Sequence, residues 1–344
     1  MRVSYRSPQQ SGSGHAGPLL YGYTAMQIID EGTIRSAVKE AEALEAAEIA
    51  FRALAEDRVE LPPPMGLDIP EVDGEVHVKS AYLKGAPIFA VKIASGFYQN
   101  TARGLPSGSG LILVFDAKTG FPALLLDDHG YLTDLRTAAA GALAARLLAM
   151  DPLRTVAVLG SGIQARYQLR ALSHVGSWDR TIAWSRDPAG LASYCAEMKD
   201  ELGLPFIAAS TPEEALRGAD LVITATPSRE PLFDPAALGN HATVIAVGSD
   251  GPDKQEIPTE VLARADKIVV DRLSQCIALG EVHHAVDAGV VGIESIHAEL
   301  GEVLIGAKTG REEDELIVCD LTGVGAQDAA IAQVAWERLR KSGL

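Results

Sequence analysis

A short apolar run, Val156 to Leu159, leads into Gly160-Ser161-Gly162-Ile163-Gln164-Ala165 and then into a helical pattern. A strand that breaks on such a turn and restarts as a helix leaves few folds open. Gly160 permits the tight turn, Gly162 lets a pyrophosphate approach the backbone, and Ala165 keeps helix and strand close. The free N–H groups at the start of the helix favour phosphate charge. The motif alone is common, so its weight depends on what surrounds it. From Thr155 onward strand-like runs alternate with helical stretches: TVAVLG, TIAWS, PFIAA, DLVITAT, ATVIAVG and KIVVD, then LIVCDL near the end. Short parallel strands separated by helices indicate an α/β fold with a Rossmann-type doubly wound sheet.

The chain before this region follows another pattern. Residues from about Tyr23 to Ala55 read as helices, and AVKEAEALEAAEIAFRALAE carries apolar positions at helical spacing. Pro62, Pro63 and Pro64 end that stretch. The runs VHVKSAYL, PIFAVKIAS, GLILVFD and PALLLDD follow, with turn residues between them at Lys84-Gly85, Pro106 to Gly110 and Thr119-Gly120. They predict an antiparallel meander of four or more strands. Thr133 then opens an alanine-rich helix to about Met150. A last helix, from about Gln327 to Lys341, returns after the parallel sheet and is expected to pack back on the first domain. The expected division is residues 1–132 with 325–344 as an α+β dimerisation and substrate domain, and 133–324 as the dinucleotide-binding domain. The segment RVSYRSPQQSGSGHAG lacks an apolar signal core and reads as a flexible or draped arm.

Two domains fit within 344 residues. The formal charge of -16 argues against nucleic acid and against anionic membranes, both of which are bound through Lys and Arg. No run approaches the roughly 20 apolar residues that span a bilayer. Cys195, Cys276 and Cys319 lie far apart without metal-ligand spacing, which suits buried small hydrophobes in a reducing, cytoplasmic setting. His283 and His284 are adjacent and so cannot share a helix face; no metal is expected there.

Four places carry possible chemistry. With Thr133 as N-cap, Arg136 falls in the first helical turn, where a cation opposes the macrodipole. An anion such as a substrate carboxylate would relieve that conflict; the plain alternative is a surface ion pair with Asp134 or Asp127. Lys92 lies inside an apolar strand run, where it must snorkel, pair with an acid or serve a site. Asp250 closes the strand VIAVGS, at the end of the sheet where ligands of open α/β folds bind. It suits proton transfer beside a nicotinamide, or plain turn capping. After TIAWS the sequence reads Ser185-Arg186-Asp187. A small hydroxyl followed by Arg suits a 2′-phosphate and favours NADP(H), whereas Asp187 could take the ribose of NAD.

Together these pieces resemble the ornithine cyclodeaminase/μ-crystallin family. The matching segments are VKIASGFYQNTARGLPSGSG, LLLDDHGYLTDLRTAAAGALAA, GSGIQA, ATPSREPLF, AVGSDGPDKQEI and DLTGVGAQDAAIA. The wording of DRLSQCIALGEVHHAV and DLTGVGAQDAAIA is similar to the branch linked to ectoine utilisation. The resemblance implies a homodimer formed through the N-terminal domain and last helix, with Lys92 and Arg136 on the substrate carboxylate and Asp250 as acid/base near the substrate nitrogen. It implies that Lys92 also polarises the reacting group. It places Gly160, Gly162, Ile163 and Gln164 at the pyrophosphate, Thr226 and Pro227 beside the cofactor, and Thr137 at the phosphates. Ser107 matches a Ser or Thr common after the Lys strand. One departure stands out: many members carry an additional carboxylate-binding Arg in the proline-rich segment, where this chain has LPPPMGLD, with Met65 near that place. Substrate size and charge can therefore differ from ornithine.

The resemblance implies an NAD(P)-dependent oxidoreductase that reduces the C=N bond of a small α-imino acid. The alternative is an NAD-dependent cyclodeaminase that turns a diamino acid into a cyclic imino acid and ammonia without net redox. A non-catalytic, crystallin-type binder is a third reading, and it leaves Asp250 without a purpose.

Overall fold

The computed structural model describes residues 26–343. The N-terminal arm lies outside the described residues. In chain order the first half comprises β1 (Gln27–Asp30), α1 (Glu31–Ala37), α2 (Glu40–Ala55), β2 (Val59–Glu60), β3 (Met65–Ile69), β4 (Gly74–Leu83), β5 (Ile88–Phe97), β6 (Gly108–Asp116), β7 (Pro122–Asp127) and α3 (Tyr131–Leu148). The strands form one sheet in the order β1-β7-β6-β5-β4-β2, with β3 also paired to β4. The β4–β7 meander is antiparallel as expected. Local pattern misread β1, which lies in the stretch taken for helix. Its Ile28 and Ile29 pair in parallel with Leu125 and Leu126, a partner far along the chain.

The second half comprises β8 (Thr155–Leu159), α4 (Ile163–Ser173), β9 (Arg180–Trp184), α5 (Pro188–Leu202), β10 (Phe206–Ala208), α6 (Pro212–Leu216), β11 (Leu221–Thr224), β12 (Thr243–Ala246), α7 (Thr259–Arg264), β13 (Lys267–Val270), α8 (Leu273–Cys276), α9 (Gly280–Asp287), β14 (Ala298–Glu299), α10 (Leu300–Leu304), β15 (Ile317–Asp320) and α11 (Gly325–Lys341). Its eight strands run β10-β9-β8-β11-β12-β15-β13-β14, parallel throughout. The strand order reverses between β8 and β11, and the crevice at that point is where such sheets bind ligands.

Two helices connect the layers. α3 is buried nearly all round because α2 and α4 pack on it. A Cβ on its Gly141 would run into the Gln168 amide of α4, so the glycine leaves room for that buried side chain. The helix starts at Tyr131, earlier than the Thr133 boundary expected. Asp128 caps it from upstream, accepting from the Leu132 N–H at 2.6 Å. Arg136 thus sits beyond the first turn, where the macrodipole has largely faded. α11 starts at Gly325 and lays its alanine-rich side on α2, β4 and β5.

Candidate active site

The glycine turn has the geometry its sequence requires. Gly160 adopts φ +124°, and a Cβ there would lie 2.6 Å from the Ala225 carbonyl oxygen. Strand β8 and the end of β11 could not approach so closely around another residue. A Cβ on Gly162 would meet no atom within 4 Å. That open backbone faces a cleft lined by Gly162, Ile163 and Gln164, with Thr137 across it. α4 has no side-chain N-cap and no acid in its first turn, so its leading N–H groups are free for an anion. These features fit a dinucleotide pyrophosphate.

The other walls of the cleft include Thr226 and Pro227, Ser107, Arg136 and Asp250. Glu256 holds the Thr226 turn. Its carboxylate accepts from the Thr226 N–H at 2.6 Å and hydroxyl at 2.7 Å, from the Thr224 hydroxyl at 2.7 Å and from the Gly248 N–H at 2.9 Å. Complete burial raises the Glu256 pKa to about 7 despite these four donors. Ser185 and Arg186 are not among the residues lining the cleft. The Ser185 hydroxyl meets that of Ser161 at 3.1 Å, while Arg186 is exposed and makes no ion pair among the described residues. Asp187 caps α5, one oxygen of its carboxylate accepting from the Ala189 N–H at 3.1 Å.

Asp250 sits in the loop after β12 and lines this cleft and a second cavity beside it. Its carboxylate accepts from the Lys254 ammonium at 2.7 Å. Lys254 also donates to Glu75 at 2.8 Å and to the Tyr98 hydroxyl at 3.0 Å, and Tyr98 donates to Glu75 at 2.6 Å. The network ties the Rossmann loop to β4. Burial opposes ionisation of Asp250, yet Lys254 and then Lys79 hold its carboxyl below the usual range. Burial raises the Tyr98 pKa to about 12.

Lys92 and Arg136 come together on a partner absent from the sequence reading. Asp328 of α11 reaches between β5 and α3. Its Oδ1 accepts from Arg136 Nε at 2.9 Å and lies 3.0 Å from Lys92 Nζ. Neither a surface ion pair nor snorkelling applies, because Lys92 lies on a central strand and is 2% exposed. Lys92 is not among the residues lining either cavity, whereas Arg136 lines the cleft. Opposite Lys92 in the β4–β5 register is Lys79, also buried. Burial, then Arg136, lowers the Lys92 pKa to about 7, against the pull of Asp328. Burial opposes ionisation of Asp328, but Arg136, Lys92 and Lys79 together hold it below the ordinary carboxylate range.

Sequence reasoning therefore missed Asp328, Lys79, Lys254, Glu75, Tyr98 and Glu256. A signal existed for two of them: Asp328 is a charge within an alanine-rich helical face, and Lys79 alternates inward on a strand. His284 lies behind this region, its Nε2 2.8 Å from the Lys254 carbonyl oxygen. Among the described residues no cluster of acids, cysteines and histidines could hold a metal.

The model of the ornithine cyclodeaminase/mu-crystallin family matches residues 25–343. The chain belongs to this family. An uncharacterised cyclodeaminase of Sinorhizobium fredii is 42% identical, over 91% of this chain and 96% of its own length. The Δ(1)-pyrroline-2-carboxylate reductase of Thermococcus litoralis, solved with NADH and L-proline, superposes with a TM-score of 0.88 at 28% identity, covering 93% of this chain and 99% of that one. An archaeal alanine dehydrogenase dimer with bound NAD superposes with a TM-score of 0.86 at 34% identity, covering 93% and 97%.

Proposed function

We propose that this family member is a nicotinamide-nucleotide-dependent enzyme acting on the C–N bond of a small α-imino or α-amino acid, as an imine reductase or amino-acid dehydrogenase. The observation that carries this is Asp250, a carboxylate at the junction of the nucleotide cleft and a second cavity. When bound, the nicotinamide supplies two-electron redox chemistry at the carbon bearing the nitrogen. Gly160, Gly162, Ile163 and Gln164 would hold the pyrophosphate, with Thr137, Thr226 and Pro227 as further cofactor walls.

Asp250 gives or takes a proton at the substrate nitrogen, and Lys254 keeps it charged between turnovers. Arg136 binds the α-carboxylate from the cleft wall, assisted by Ser107. Lys92 contributes its charge to the same carboxylate site from behind, through Asp328. Arg136 needs a fixed direction for this, and the Asp328 carboxylate supplies it.

Arg186, exposed and unpaired beside Ser185, supports NADP(H) as the preferred nucleotide. Residues 1–132 with 325–344 form the dimerisation and substrate domain in this proposal, and 133–324 the nucleotide domain. The first sheet supports a homodimer. On its face away from α11, Val91, Ile93, Leu111 and Leu113 are partly exposed, and the rings of Phe89 and Phe115 stack at 4.9 Å. An apolar face of this kind suits a second copy. The ectoine-utilisation branch and a cytoplasmic site complete the reading; the three buried free cysteines support a reducing compartment.

Likeness to a cyclodeaminase at 42% identity favours a second reading, redox-neutral ring closure of a diamino acid. Following nicotinamide absorbance and ammonia together decides between them. Net nucleotide consumption with imino acids supports the reductase; ammonia from a diamino acid without net nucleotide change overturns it.

A further inference from the structure

The second cavity measures about 450 Å³ and meets the nucleotide cleft at Asp250. A substrate whose nitrogen lies at Asp250 must send its side chain into this space. The cavity carries hydrogen-bond donors that the protein does not use. Lys79, 6% exposed, gives two N–H groups to the carbonyls of Thr322 and Gly323 at 3.2 and 2.6 Å, which leaves one N–H free. Arg272 pairs through Nη1 with Glu299 at 2.9 Å, and its Nη2 makes no hydrogen bond among the described residues. His77 also lines the cavity, but its Nε2 is enclosed and lies 3.7 Å from Glu75. Two basic side chains with unused N–H groups on one cavity suit an anionic acceptor.

The acids of the lining do not fill that role. Asp250 is engaged with Lys254, and Asp68 stands exposed on β3. We infer that the substrate carries a second, distal carboxylate, bound by Lys79 and Arg272, and so belongs to the α-imino or α-amino dicarboxylic acids. This rests on the C–N oxidoreductase reading above and names its substrate class. A distal ammonium, the mark of a diamino acid, would instead face Lys79 and Arg272.

Three unreactive four-carbon probes isolate the distal group: succinate, butyrate and 4-aminobutyrate, titrated calorimetrically into the protein with its nucleotide. Succinate should bind at least about tenfold more tightly than butyrate, with 4-aminobutyrate the weakest. Lys79→Met should abolish the succinate advantage without weakening butyrate. Because Lys79 is buried and this variant can misfold, Arg272→Gln, at a partly exposed position, is measured alongside and should reduce the same advantage. Equal affinities, or 4-aminobutyrate as the tightest probe, overturn the inference. Turnover separates it from the underlying reading. Nucleotide-linked oxidation of aspartate or glutamate above alanine and ornithine supports both. Preference for ornithine or alanine sinks the dicarboxylate assignment alone. Succinate preference with no turnover of any amino or imino acid sinks the oxidoreductase reading and keeps the pocket.

Discussion

Lys92 on β5 and Asp328 on α11 meet at 3.0 Å with both side chains 2% exposed, and the same carboxylate oxygen receives Arg136 from α3. One acid thus joins the first sheet, the bridging helix and the returning helix. Lys79 stands beside this group, facing Lys92 across the β4–β5 pair.

Removing that acid should be severe. Asp328→Ala leaves two buried cations facing each other and is expected to cost about 3–5 kcal/mol. Urea unfolding measures it. Adding Lys92→Met to Asp328→Ala should recover part of the loss, since the uncompensated charge goes with it; a fully additive double variant would contradict the pairing.

Lys92 also sets a pH dependence. Its folded pKa, about 7, lies below the 10.5 of a lysine in the unfolded chain, so between these values the unfolded chain binds more protons. Its contribution to stability is full above the unfolded value, falls as pH drops from there toward about 7, and is flat below. The urea midpoint of the wild type, relative to Lys92→Met, should therefore rise from neutral to alkaline pH. A difference that does not change with pH would contradict the lowered pKa.

Asp250→Asn keeps the size of the side chain and removes its basicity. We expect turnover to fall by about 10²–10⁴ with nucleotide affinity unchanged. Comparable rates for the two proteins would remove Asp250 from the chemistry.

The two glycines of the turn should separate stability from binding. Gly160→Ala puts a Cβ 2.6 Å from a backbone oxygen at positive φ, and should cost about 1–3 kcal/mol along with nucleotide binding. Gly162→Ala meets open space, so its melting temperature should stay close to wild type while nucleotide titration weakens. Nucleotide bound as tightly by Gly162→Ala as by the wild type would mean that this turn holds no pyrophosphate.

Arg186 should report on nucleotide choice. Arg186→Ala is expected to lower kcat/KM for NADPH by about tenfold while leaving NADH nearly unaffected, the loss of one charge-assisted phosphate contact. Equal effects on both nucleotides would argue for NAD instead.

The sequence by itself determined the elements whose causes are local. The Gly160–Ala165 turn, the meander of alternating strands and the parallel strands from Thr155 each declare themselves within a few residues, because periodicity and glycine conformation are short-range properties. It also singled out Lys92 as a charge in an apolar run, Asp250 at a strand end, and Arg136 as a cation in a first helical turn, although the helix in fact starts earlier, at Tyr131. What those residues touch was a tertiary decision. Asp328 lies 192 positions from Arg136, and Glu75 lies 179 from Lys254. β1 escaped a local reading for the same reason, as its partner β7 lies about a hundred residues on. Only the packing of α11 across β5 turns an acid in an alanine-rich helix into the partner of two buried cations. Only the pairing of β4 with β5 sets Lys79 opposite Lys92. Burial and opposing charge act through space, and the fold decides which distant residues share it.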